Sequence, residues 1–187
     1  SGGVDSSLTA ALLIEQGYDV IGVTMTLSDE SREAGGSTAV SDAKKVADAL
    51  NIPHYVVNYH KKFKDDVIKY FISEYAKGRT PNPCVRCNNT VKFGSLLKDC
   101  LKLGADCVAT GHYARIEQDE KTGRYLLKKG LDVRKDQSYV LYTLTQDVLK
   151  HFMLPLGNYS KEKTRELAGK MNLPVANKPE SQEICRI

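Results

Sequence analysis

No stretch of the sequence approaches the roughly 20 consecutive apolar residues that a membrane-spanning helix needs, so no helical membrane span is expected. Cysteine is scarce and odd in number. The five cysteines are scattered over positions 84, 87, 100, 107 and 185, which argues against a secreted disulfide framework. Internal repeats and low-complexity tracts are absent, which excludes a solenoid or a biased disordered chain. The first residues, polar and glycine-rich, resemble no signal peptide, and a cytoplasmic location is expected. Nor is there a strong charge of one sign. The 27 basic and 23 acidic side chains leave +4, which permits an anionic partner such as RNA without demanding one. At 187 residues the chain has room for one globular domain and a small appendage.

What is present alternates. Apolar Leu8, Ala11 and Leu12, with Gly17 as a stop, predict a helix over 6–17. The β-branched run at 19–25 predicts a buried strand, and the small polar stretch 30–40 a mobile loop. A helix capped by Ser41 through 50, a strand at 54–57 and a helix at 63–76 follow. A loop then carries TPNPCVRCNN (80–89), ahead of a helix over 90–104 capped by Thr90 and closed by Gly104, and a strand at 107–110. This rhythm predicts an α/β fold, a parallel sheet flanked by helices. After His112, ARIEQ (114–118) and RYLLKK (124–129) flank DEKTG and predict a hairpin. Beyond 135 the segments read as helical, SKEKTRELAGKM (160–171) most clearly, so a small hairpin and helical extension is expected past a boundary near Arg134.

The most informative stretch is SGGVDSS (1–7). Its glycines let a backbone approach closely, and the helix behind it offers free N–H groups and a positive dipole end. Serine hydroxyls add donors, and Asp5 is placed to bind a metal that bridges phosphates. The spacing and the lysine of a Walker loop are missing. The stretch resembles the PP-loop of the N-type ATP pyrophosphatases, which implies a Rossmann-like, adenine nucleotide alpha hydrolase-like fold. It also implies cleavage of ATP to AMP and pyrophosphate, with a substrate oxygen adenylylated. The loop by itself leaves several outcomes open: amide, guanidine or NAD synthesis, tRNA lysidine formation, tRNA thiolation, or a non-catalytic nucleotide- or iron–sulfur-binding module.

Further motifs follow in order: GVTM (22–25), GRTPNPCVRCNNTVKFG (78–94), ATGHYAR (109–115), KDQSYVLYTL (135–144) and SQEIC (181–185). With the loop, they resemble the tRNA-specific 2-thiouridylases along essentially the whole chain. The resemblance implies ATP-dependent insertion of sulfur at C2 of the uridine at the first anticodon position of tRNA. It implies phosphate binding by Ser1, Gly2, Gly3, Val4, Asp5 and Ser6, with Mg²⁺, and adenosine bordered by Met25 and Gly111. Asn82, Pro83 and Cys84 would touch the target base, and Lys135, Asp136 and Gln137 the tRNA. Cys87 and Cys185 match the two catalytic cysteines. On this basis 1–134 is expected to be the catalytic domain, its first strand missing. Residues 135–187 would be a truncated helical tRNA-binding segment, with the family's C-terminal β domains absent. A sulfur-donor protein is implied as a second partner.

In the implied persulfide scheme Cys185 carries sulfur from the donor and Cys87 attacks it. A free thiol has a pKa near ~8.5, so a reactive cysteine needs a positive or polar setting, which Arg86 and Lys92 are expected to supply. Two positions depart from the family pattern. Cys84 stands where many members carry aspartate, and Arg186 where an aromatic residue is expected. Cys84, Cys87 and Cys185 could together hold a four-iron, four-sulfur cluster with one open iron, or zinc with a fourth ligand. Cys100 and Cys107 read as small buried hydrophobes, and His54, His60 and His151 as structural or exposed. His112 is expected to hydrogen-bond near the nucleotide. The tyrosines of SYVLYTL read as helix core, and KKFKDD and SKEKTRE as solvated helix faces. Nothing resembles an S-adenosylmethionine site, which sets aside the methyltransferase label sometimes attached to this family.

Overall fold

The computed structural model describes residues 2–27 and 38–180. Helix α1 (Val4–Glu15) starts directly on the glycine loop, two residues earlier than expected. Val4, Leu8, Ala11 and Leu12 recur at helical spacing and form its buried stripe. Strand β1 (Gly22–Thr26) leads to α2 (Thr38–Ala49) and then β2 (His54–Asn58). The two strands pair in parallel, Gly22 opposite His54 through Thr26 opposite Asn58. Thr24 Oγ1 and His54 Nε2, 2.9 Å apart, link the strands, so His54 is structural as read. Helix α2 begins at Thr38 and not at Ser41, which shortens the expected loop; its stretch 30–37 lies outside the described residues.

A helical run over 60–76, α3, joins His60–Phe63, a π-type stretch Lys64–Ile68 and Lys69–Ala76. A second run over 83–102, α4, joins Pro83–Cys87, a π-type stretch Asn88–Leu96 and Leu97–Lys102. This corrects the sequence reading, because the cysteine pair lies in a helix and Thr90 is no cap. The side-chain oxygen of Asn82 accepts from the N–H groups of Cys84 and Val85 at 3.0 and 3.2 Å, and Pro83 occupies the first turn. Thr90 Oγ1 instead donates to the Arg86 carbonyl one turn back.

Strand β3 (Val108–Ala109) leads into the hairpin β4 (Ala114–Gln118) and β5 (Tyr125–Lys129), antiparallel with Ala114 opposite Lys129. Past 135 the chain is less helical than expected. A 3₁₀ turn (Ser138–Val140), a short α5 (Gln146–Leu149), strand β6 (Phe152–Met153) and a second 3₁₀ turn (Pro155–Asn158) precede α6 (Lys161–Lys170). The unexpected β6 pairs in parallel with β3, Val108 opposite Phe152. The tyrosines of SYVLYTL are not core: Tyr139 and Tyr142 are exposed, while Val140 and Leu141 between them are buried.

Three apolar clusters hold these elements. In the first, the α1 stripe packs on Tyr113, Leu156, Ala168 and Leu173, which fastens α6 to α1. In the second, Phe93, Leu97, Val108, Ala114, Val140, Leu141, Phe152 and Leu154 join α4 to both short sheets. In the third, Tyr59, Phe63, Val67, Cys87, Val91 and Leu96 join α3 to α4. Each fully buried Leu, Val or Phe contributes roughly 1.5–3 kcal/mol, so the clusters fix the relative positions of α1, α4 and α6. Among the described residues, no helix is long and apolar enough to cross a membrane.

Candidate active site

The phosphate-type loop sits in a cleft made by backbone. Gly2 has φ +62°, and a Cβ there would stand 2.4 Å from the Ala39 carbonyl of α2. On the other side a Cβ on Gly111 would stand 2.8 Å from Asp5 Cβ and 3.0 Å from Ser6 N. The loop after β3 therefore lies directly on the start of α1. Gly3 caps α1 without any side-chain hydrogen bond. Ser6 and Ser7 hydroxyls donate to the Gly3 carbonyl at 3.2 and 2.8 Å and stiffen the turn. Ser1 lies outside the described residues.

Asp5, in that first turn, meets side chains the sequence reading did not single out. Its Oδ1 accepts from the Tyr113 hydroxyl at 2.9 Å and from Lys161 Nζ at 2.7 Å, and its Oδ2 from Lys161 at 2.9 Å. Tyr113 also pairs with Thr164 at 3.1 Å. Burial, then the Asp5 carboxylate, pushes the Tyr113 phenol well above its ordinary range, so it stays a hydrogen-bond donor. Lys161 continues to Glu180 at 3.0 Å, and Glu180 to Lys135 at 2.8 Å. Those two lysines, Lys135 first, hold the Glu180 carboxyl at about 2. Lys178 donates to the Gly2 carbonyl at 2.9 Å and to Asp42 at 2.7 Å. Three lysines thus ring the loop against the three carboxylates of Asp5, Asp42 and Glu180.

SKEKTRE is consequently not wholly a solvated face. Glu162 and Lys163 are exposed, but Lys161 and Thr164 are buried, in line with Ala168. That spacing, three then four residues, was the one available signal.

Cys87 is 5% exposed within the third cluster, against which Met25 of β1 packs. Cys84, one turn earlier, packs against the second cluster. Pro83 is buried beneath this turn and Asn82 is exposed. Arg86 is engaged elsewhere, donating to the Asp66 carbonyl at 3.0 Å with its guanidinium 5.1 Å over the Tyr70 ring. Lys92 is felt instead at His112, whose ring lies 5.8 Å from that of Phe93. Burial, then Lys92, lowers His112 to about 3, so at neutral pH it is an uncharged partner of Thr110, 2.8 Å away. His112 can orient a ligand but holds no proton to donate as an imidazolium.

Of the expected tRNA contacts, Asp136 accepts from Gly130 N at 2.9 Å and from the Ser138 hydroxyl at 2.7 Å. Burial opposes its ionisation, yet these bonds prevail and keep its carboxyl below the usual range. Gln137 Oε1 accepts from Tyr113 N at 3.1 Å. Both residues therefore brace the turn that presents Lys135. Asn88, next to Cys87, donates to the Val140 carbonyl at 3.3 Å and ties the cysteine helix to that turn. Among the described residues no group of three His, Cys, Asp or Glu side chains is arranged to hold a metal ion, and Cys185 lies outside them.

A family model described as "tRNA methyl transferase HUP domain" matches residues 1–187. The chain is 60% identical over 195 residues to a protein of Caldanaerobacter subterraneus subsp. tengcongensis named tRNA-specific 2-thiouridylase MnmA 1, covering 100% of this chain and 54% of that protein. A Clostridioides difficile protein named tRNA-specific 2-thiouridylase MnmA is 55% identical over 191 residues, with 99% and 53% covered. The chain spans about half the length of the curated relatives it matches. Two solved structures share the fold, each with a TM-score of 0.53. One is a predicted subunit of tRNA methyltransferase from Methanocaldococcus jannaschii, 20% identical, covering 90% of this chain and 71% of that one. The other is NMN synthetase from Francisella tularensis, 18% identical, with 97% and 63% covered. The architecture is thus a Rossmann-like HUP domain, and the chain belongs to the tRNA-specific 2-thiouridylase family.

Proposed function

We propose that this protein uses ATP to activate a tRNA uridine and replaces its C2 oxygen with sulfur, in the cytoplasm and at the first anticodon position. The observation that carries this reading is the packing of Met25, at the end of β1, against the cluster that buries Cys87. Ligands of open α/β sheets bind beyond the carboxyl ends of parallel strands, so a nucleotide there lies beside the thiol helix.

Oxygen at C2 is a poor leaving group. Attack of that oxygen on the α-phosphorus of ATP forms the uridine adenylate and expels pyrophosphate. The N–H groups at the start of α1 and the donors of the glycine loop face the charge that develops. Asp5 is a partly exposed carboxylate in that first turn, and a magnesium ion held there would neutralise phosphate charge. Gly111 lets the adenosine side of the site close on Asp5 and Ser6.

Sulfur then arrives from a donor protein as a Cys185 persulfide. Cys87 Sγ attacks the inner sulfur, forming a Cys87–Cys185 disulfide, and the terminal sulfur leaves as sulfide. Sulfide adds at C2 and displaces AMP, and a dithiol reductant returns both cysteines. Of the two cations expected beside the thiols, Arg86 is held by the Asp66 carbonyl and the Tyr70 ring, and Lys92 acts on the buried His112. A cluster on Cys84, Cys87 and Cys185 would supply an iron-held sulfide at the same helix; Cys84 and Cys87 share one turn, as two of its ligands would. Asn82, Pro83 and Cys84 would meet the target base and Lys135 the anticodon stem, with Asp136 and Gln137 as braces.

The test is nucleoside mass spectrometry of unmodified substrate tRNA incubated with ATP, the sulfur donor and the full-length protein. Wild type is expected to form 2-thiouridine, and Cys87→Ser to lose at least 100-fold of that activity. Full activity in Cys87→Ser would remove the thiol chemistry from this helix. Loss of activity in Cys84→Ala together with bound iron would assign sulfur delivery to the cluster.

A further inference from the structure

Cys84 takes no part in the persulfide scheme, yet it lies one turn before Cys87 in α4. The two thiols differ in access. Cys87 is 5% exposed, in the third cluster with Tyr59, Phe63, Val67 and Val91. Cys84 is only half-buried, on the edge of the second cluster. A disulfide made by Cys87 is therefore shielded on that side, whereas a reductant has to bring its own thiolate up to one of the two sulfurs. The spacing suits exchange between the pair. Residues three apart in an α-helix have Cα atoms about 5 Å apart, inside the roughly 4.4–6.8 Å that a disulfide spans. Their Cβ atoms stand about 5–6 Å apart, so closure asks the turn to tighten by about 1–2 Å. The turn is loosely tied at both ends. The Arg86 N–H reaches the Asn82 carbonyl at only 3.4 Å, and the winding widens directly after Cys87. Among the described residues the other thiols are remote. Cys100 lies about three turns further along α4, and Cys107, beside β3, has its Sγ 3.3 Å from Met153 Sδ.

We propose that Cys84 is the resolving thiol of the sulfur-transfer step, which takes over the disulfide of Cys87 and presents it to the reductant. This rests on the persulfide reading above. Once Cys87 has released sulfide and is joined to Cys185, the Cys84 thiolate attacks Cys87 Sγ. The Cys87–Cys185 bond breaks and a Cys84–Cys87 bond forms. Cys185 leaves as a thiolate and takes up the proton that Cys84 lost, so the protein gains and loses no electrons in this step. The dithiol reductant then attacks the more accessible Cys84 Sγ. Its own oxidation to a disulfide supplies the two electrons and two protons that restore both thiols. Cys185 is thus ready for its next sulfur before the reductant acts. Aspartate at position 84, as in the family pattern, has no sulfur, and leaves the Cys87–Cys185 disulfide to be reduced directly.

The experiment is a single turnover of the full-length protein, charged with one sulfur per chain by its donor. It is mixed with ATP and unmodified substrate tRNA without reductant, quenched with iodoacetamide and mapped by peptide mass spectrometry. Cleavage after Arg86 puts the two cysteines in different peptides, so a bond between them is read directly. The main product is expected to be a Cys84–Cys87 disulfide with Cys185 alkylated. A lasting Cys87–Cys185 disulfide with Cys84 alkylated would overturn the proposal. Formation of 2-thiouridine with neither disulfide would instead overturn the persulfide reading, and this proposal with it. The second measurement compares wild type with Cys84→Asp under limiting dithiol reductant, as the rate of later turnovers divided by that of the first. The division cancels any effect of the substitution on the first turnover. That ratio is expected to fall at least about tenfold in Cys84→Asp. An equal ratio in the two proteins would overturn the proposal.

Discussion

Glu180 joins Lys135 and Lys161 beside the glycine loop, and its charge holds that joint together. Lys135 and Lys161 bring its carboxyl from an ordinary 4.5 to about 2. A carboxyl depressed in the folded state adds stability that is fully present above its unfolded pKa, near ~4.3, and is lost as pH falls toward the folded value. Denaturant unfolding of wild type and Glu180→Gln should therefore differ by on the order of 1–3 kcal/mol at pH 7. That gap should narrow between about pH 4.5 and about 2. A gap independent of pH across that window would mean that the ion pairs carry no stability. His112 loses stability with acid as well, from its ordinary 6.5 toward about 3, but it does so in both proteins and cancels in the comparison. None of this was legible in the sequence. Glu180 and Lys135 are 45 positions apart, and Lys161 and Asp5 are 156 apart. No local pattern marks a pair that only the packing of α6 on α1 creates.

Helix α4 shows how a motif can be visible while its structure is misread. The two prolines and two cysteines of TPNPCVRCNN suggest a loop, yet Asn82 and Pro83 are equally a capping residue and a first-turn proline. The Asn82 side chain satisfies the Cys84 and Val85 N–H groups, and the turn it secures carries both thiols. Asn82→Ala should cost about 1 kcal/mol and fray that turn, whereas Asn82→Asp should keep the cap. The measurement is alkylation of Cys87 by iodoacetamide, expected to quicken in Asn82→Ala and to stay slow in Asn82→Asp. Equal rates in all three proteins would show that the third cluster alone holds the turn. Directly after Cys87 the helix adopts the wider π-type winding, a feature often found at functional positions. The strands and the hairpin were easier to read, because β-branched runs and a polar DEKTG turn act locally. The exposure of Tyr139 and Tyr142 was not, since alternating aromatic and aliphatic residues look the same in a buried helix and in a 3₁₀ turn with one wet face.

At the scale of the molecule, three clusters bring together parts that are remote in sequence. The first sets α6 on α1 and carries Lys161 to the glycine loop, and the third sets Cys87 near the end of β1. The second runs between them, through Phe93, Val140 and Phe152. The glycine loop and the cysteine helix are therefore parts of one packed unit, as the proposed reaction needs if an activated uridine is to meet sulfur where it is made. The α/β class followed from the alternation of elements, and the family from motifs spread along the chain. The ring of lysines and carboxylates around the loop needed the fold. The central claim, that ATP cleavage and sulfur insertion are one coupled reaction, is tested most directly by the stoichiometry of a single turnover. The full-length protein would be mixed with unmodified tRNA, limiting ATP and sulfur donor, and pyrophosphate, AMP and 2-thiouridine counted together. The account predicts about one of each per uridine converted, with no ADP. Formation of 2-thiouridine without pyrophosphate, or cleavage of ATP to ADP and phosphate, would contradict it.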